Sequence, residues 1–152
     1  MNKQYINFPI KLMFAVLVFF LMPTLQSLGQ VWYDNYVAGL KKSEADGKPI
    51  FIVFESPGEF KRCPAIQSSE FKKYAKKELV CVFVKVRYTP SGVQPIGPKS
   101  EAVMEEFDQG SWGAVLYNPK TKKKTKIGIW GSNPKAFVKR LQDAVGKPIN
   151  DD

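Results

Sequence analysis

Apolar positions along this chain fall into short blocks whose spacing alternates between that of a helix and that of a strand. Trp32, Tyr36, Val37 and Leu40 recur at helical intervals, and the pattern stops at Asp46 and Gly47. The next block, IFIVF at 50–54, is continuous, β-branched and aromatic, the composition of a strand covered on both faces. Ile66, Phe71, Tyr74, Ala75 and Leu79 return to helical spacing and lead into a second apolar strand, LVCVFVKV at 79–86. Two parallel strands joined through a helix predict a right-handed crossover unit.

The second half continues the alternation. Residues 88–99, YTPSGVQPIGPK, hold three prolines and two glycines and predict a long loop. SEAVMEEFD at 100–108 predicts a short helix capped by Ser100, with Val103, Met104 and Phe107 toward the sheet. AVLYN and TKIGIWG, separated by a polar turn, predict an antiparallel hairpin. The last block, SNPKAFVKRLQDAVG, has Ser132 or Asn133 as its cap and Pro134 in the first turn. Its Phe137, Val138, Leu141 and Val145 lie on one side, and Gly146 ends it. The expected fold class is α/β, a mixed central sheet with helices on both faces.

Residues 1–29 change the reading of location. Lys3 and Lys11 precede the apolar run LMFAVLVFFLM at 12–22, and the small residues Ser27 and Gly29 precede Gln30. This is the layout of a cleaved secretory signal, and the run is too short for an ordinary membrane-spanning helix. The mature chain, residues 30–152, is expected to be one domain, secreted or periplasmic, with no stable membrane span. An uncleaved amino-terminal anchor is the alternative. Loss of two lysines lowers the formal charge from +9 to +7. The excess concentrates in FKKYAKKE at 71–78 and PKTKKKTK at 119–126, which read as a solvated helix face and a solvated turn. They leave an anionic surface as a possible partner, whereas specific nucleic-acid binding lacks a recognition helix or zinc pattern.

The order of elements, with GKPI opening the strand and Cys63 about nine residues after Phe54, resembles the thioredoxin-like superfamily, in particular its secreted members. The resemblance runs over residues 31–147 and implies a three-layer fold, a mixed central sheet with helices on both faces. It also implies a Trp-Cys-x-x-Cys motif where this chain has Glu59, Phe60, Lys61, Arg62 and Cys63. By that match Cys63 is the resolving cysteine and Phe60 stands in place of the attacking one. Phenylalanine forms no mixed disulfide, so the two-step exchange of a dithiol enzyme is lost. The family's cis-proline before the hairpin is likewise missing, with Trp112 and Gly113 in its place.

Cys81 is not expected to substitute. It lies near the start of its strand, whereas Cys63 follows the end of the neighbouring one. Four strand residues rise about 13 Å, and a disulfide requires α-carbons within about 7 Å. Cys63 itself is either a vestige or a monothiol, its thiolate favoured by a helix start and by Lys61 and Arg62. Pro57, Phe60 and Trp112, with Tyr117 a further candidate, offer a concave partner-binding face, the alternative being that Trp112 simply covers the gap left by the missing proline. Glu55 and Glu59 flank the loop without a fixed separation, and carry weak acid-base significance. The chain has no histidine, which excludes Cys-His and Ser-His-Asp catalysis and histidine-bearing metal centres. No cofactor is expected. The function expected is an exported domain without dithiol activity, acting in protein binding, folding assistance or envelope assembly. The alternative is monothiol exchange or oxidant reaction at Cys63.

Overall fold

The computed structural model describes residues 31–107, 113–131 and 133–146. The expected leader at 1–29, the cut before Gln30, and Trp112 and Ser132 lie outside the described residues. In chain order the elements are β1 (Trp32–Tyr33), α1 (Tyr36–Asp46), β2 (Ile50–Glu55), α2 (Pro57–Arg62), α3 (Pro64–Gln67), α4 (Ser69–Glu78), β3 (Val80–Thr89), β4 (Gly92–Pro95), α5 (Pro98–Glu106), β5 (Gly113–Asn118), β6 (Lys123–Ile127) and α6 (Pro134–Val145).

The strands form one mixed sheet ordered β1-β3-β2-β5-β6, with β4 paired to the far end of β3. β1 and β2 run parallel to β3, whereas β5 is antiparallel to β2 and β6 to β5. Side chains of β2 alternate between two cores, as the period of a strand requires. Phe51 and Val53 enter the core under α3, α4 and α6, with Ile66, Phe71, Ala75, Phe137 and Leu141. Ile50, Ile52 and Phe54 enter the opposite core, with Val103, Met104 and Phe107 of α5 and with Tyr36 and Leu40 of α1 at its edge. The expected architecture, helices on both faces of a mixed sheet, is therefore the one observed. Helix α1 lies very close to the sheet: a Cβ added at Gly39 would stand 2.4 Å from a Val82 methyl group.

Local corrections have local causes. Trp32 is not helical. It sends its ring into the α4 side of the sheet, whereas Tyr36 and Leu40 pack on the other side, so their common period is accidental. Asn35 starts α1 by accepting the Val37 N–H at 3.0 Å. The single helix expected after β2 is three short ones. Pro64 has no N–H to continue α2, and the Ser68 hydroxyl caps a fresh start by accepting the Phe71 N–H at 3.2 Å.

Residues 88–99 are not one loop. β3 runs on to Thr89 and turns back into β4, with Tyr88 opposite Val93 and Pro95 tolerated on the outer strand. Ser100 is not the cap of α5. The helix starts two residues earlier at Pro98 behind Gly97 at φ 89°, and the Ser100 hydroxyl donates to the Ile96 carbonyl at 3.3 Å. The last strand is shorter than expected, ending at Ile127. Asn133 caps α6, accepting from Lys135 N–H at 2.9 Å.

Candidate functional site

Five consecutive apolar residues of β2 are fully buried, and the strand then ends on a carboxylate, Glu55, that is 1% exposed. Three segments supply its hydrogen bonds. Its neighbour Ser56 donates a backbone N–H to Oε1 at 2.8 Å. β3 outruns β2 by four residues, since Glu55 is level with Lys85 and the ladder with β4 continues to Thr89. That overhang places Tyr88, whose hydroxyl donates to Oε1 of Glu55. Trp130, just beyond β6, donates its indole N–H to Oε2 at 3.2 Å. Burial and the bond to Glu55 together hold the Tyr88 hydroxyl well above the usual tyrosine range.

Helix α2 begins beside this carboxylate. The Ser56 hydroxyl accepts the Glu59 N–H at 3.4 Å, and Pro57 occupies the first turn, where its lack of an N–H costs nothing. Glu59 thereby stands at the rim, half exposed, with Arg62 at 3.7 Å. Glu55, Glu59, Tyr88 and Trp130 line one open cavity of about 260 Å³.

Cys63 lies between α2 and α3, fully buried, and is unbridged, as is Cys81. Its thiol donates to the Ile129 carbonyl at 3.3 Å, so it faces the interior beneath the segment carrying Trp130. Burial pushes its pKa up, the Glu55 charge adds to the rise, and the amides of Ile66 and Ala65 only partly oppose it. This corrects the expectation of a favoured thiolate. Lys61 and Arg62 are exposed, and water screens their charges from the buried sulfur. Cys81 is entirely buried on β3, level with Trp32 and Phe51, and desolvation alone holds its thiol far above the ordinary range. The cysteines occupy opposite ends of the parallel strands, in agreement with the strand-depth expectation.

Phe60 and Tyr117 do not share a face of the sheet, and Trp112 lies outside the described residues. Phe60 turns inward, its ring 4.8 Å from Trp32 and 4.3 Å from Phe83. Tyr117 is buried on the other side of the sheet against Phe107, at 5.3 Å. Pro57 is exposed, and Gly113 is buried opposite Phe54 on β5. Glu59, Phe60, Lys61 and Arg62 thus share α2 with Cys63 directly after it, but present different sides. Among the described residues no group of three or more histidine, cysteine, aspartate or glutamate side chains is placed to hold a metal ion.

What the sequence reading undervalued is Glu55 with Tyr88 and Trp130. One signal was present, a carboxylate closing a wholly apolar strand. Nothing local marks its two side-chain donors, which lie 33 and 75 residues away.

No protein-family model matches the chain, and no curated protein matches it. Solved structures do. The chain is similar to one described as DsbH oxidoreductase, with 21% identity over 75% of this chain and 83% of that one, at a TM-score of 0.59. It is also similar to the solution structure of a thioredoxin from Thermus thermophilus, with 18% identity over 76% and 84% of the two chains, at a TM-score of 0.52. At these identities the likeness is one of fold, and the fold is thioredoxin-like.

Proposed function

We propose that this chain is an exported thioredoxin-like domain that has given up dithiol exchange and acts by binding another polypeptide, in folding assistance or envelope assembly. One observation carries the reading: Cys63 is fully buried, with its thiol donated to the Ile129 carbonyl at 3.3 Å. Exchange requires an accessible thiolate. Burial opposes both conditions, and it weighs equally against a monothiol mechanism. In this reading Phe60 replaces the attacking cysteine and fills the vacated place with packing against Trp32 and Phe83. Secretion or a periplasmic location rests on the leader at 1–29. The exposed lysines 72, 73, 76 and 77 of α4 suit an anionic surface as a secondary contact.

Disulfide reduction driven by dithiothreitol tests the reading. The wild-type protein should not exceed the reagent's background rate, and Cys63→Ser should match it. Turnover well above background that disappears in Cys63→Ser overturns the proposal. Phe60→Cys should introduce a redox-titratable pair with Cys63, because α-carbons three residues apart around a helical turn lie within disulfide reach. Intact mass of the exported protein checks the start at Gln30.

A further inference from the structure

The cavity at the end of β2 joins two carboxylates to two aromatic side chains on a chain that is otherwise strongly basic. Glu55 accepts in all three of its hydrogen bonds, and no lysine or arginine among the described residues lies within ion-pairing distance of it. A buried carboxylate is ordinarily paired with a cation or a metal. Two nearby cations look elsewhere. Lys85, level with Glu55 on β3, lines a separate groove of about 140 Å³ with Asp34 and Lys99. Among the described residues Arg62 pairs with Glu59, from a position 78% exposed, where the pair is weak. The cavity itself has no cationic lining residue among the described residues.

Its other walls suit the same kind of ligand. Tyr88 and Trp130 present aromatic surface, which attracts a cation through the ring quadrupole and covers an aliphatic stem. The volume of about 260 Å³ falls below the usual range for cofactors or metabolites, which begins near ~300 Å³. It admits one side chain. The Arg62–Glu59 contact is exposed and can be exchanged for an incoming cation without exposing a new charge.

We infer that this cavity receives a lysine or arginine side chain of the partner polypeptide, with Glu55 at its base and Glu59 at its rim. The inference rests on the binding reading above and names what that face binds. It also places the positive charge on the partner, opposite in sign to what the chain's overall charge would attract.

The test is an NMR titration of the full folded protein with N-acetyl-lysine-N-methylamide and its arginine counterpart, with the norleucine compound as the uncharged control. The two cationic probes should shift the Trp130 indole N–H and the Tyr88 signals saturably, and the norleucine probe should not. Glu59→Gln, at a half-exposed rim position, should weaken binding by about tenfold, the loss expected for one charge-assisted contact. Glu55→Gln should weaken it at least as much. Should Glu55→Gln fail to fold, Glu59→Gln decides the matter alone. Equal shifts from norleucine, no saturable shift from either cation, or unchanged binding in Glu59→Gln would overturn the inference. Tighter binding of free butylamine than of a Gly-Lys-Gly peptide would overturn the assignment to a polypeptide. Turnover in the reductase assay removes the non-catalytic reading and leaves this titration untouched. Absence of cation binding without turnover removes the cavity's role alone.

Discussion

Cys81 sits in the body of the sheet, level with Trp32 and Phe51, and burial alone raises the pKa of its thiol. Cys63 sits at the rim, equally shielded from water, yet its thiol meets the Ile129 carbonyl and lies within the influence of Glu55. In the body, exclusion of water by close-packed hydrocarbon sets every property of the residue. At the rim, individual donors and acceptors decide. The difference separates a residue held by packing alone from one held beside a buried carboxylate at the end of β2.

The largest test of the contrast lies in the body. Phe51 is fully buried, with ring centroids 5.5 Å from Phe71, 6.0 Å from Phe137 and 6.3 Å from Trp32. Phe51→Ala should lower stability by about 3–5 kcal/mol, read from urea unfolding, because the cavity cannot collapse between sheet and helices. A loss under about 1 kcal/mol would mean that the aromatic cluster is not the body's main support.

Serine replacement separates the two cysteines directly. Cys81→Ser places a hydroxyl among hydrocarbon and should cost about 1–3 kcal/mol. Cys63→Ser keeps the Ile129 carbonyl as acceptor and should cost less than about 1 kcal/mol. Equal losses would erase the distinction between body and rim.

Tyr74 offers a smaller effect of the opposite sign. Its hydroxyl is buried without a hydrogen-bond partner among the described residues, and burial pushes its pKa up to about 12. Tyr74→Phe removes an unsatisfied polar atom and should raise stability, by up to about 1 kcal/mol.

The smallest effect is the alkaline one. Both thiols, ordinarily near 9.0, and Tyr36, Tyr74 and Tyr88, ordinarily near 10.0, have raised values in the folded protein. The unfolded chain therefore loses these protons first. Their contribution is complete below pH 9 and declines as pH rises through the thiol and tyrosine range. The urea midpoint should fall gradually above pH 9, and neither thiol should react with Ellman's reagent until denaturant is added.

Much of the fold was legible because its signals are local. IFIVF announced a strand buried on both faces, and Gly47 and Gly146, with φ of 67° and 76°, ended their helices as expected. Trp32 misled because helical spacing cannot tell which side of a sheet a ring will choose. The β3–β4 hairpin was hidden by its prolines, since an outer strand tolerates what an inner one does not. Cys63 was rightly separated from Cys81, but its burial depends on the β6–α6 connection folding over it, 66 residues along the chain.

By itself the sequence determined the alternation of helices and strands, the two-sided burial of β2, and the separation of the cysteines, because each follows from the period and depth of neighbouring residues. Tertiary structure decided the site. Glu55 is completed by Ser56, Tyr88 and Trp130, one, 33 and 75 residues away. Their meeting depends on how far β3 overhangs β2 and where the chain leaves β6. Those are properties of strand register, and register is settled only when the two cores pack against the sheet.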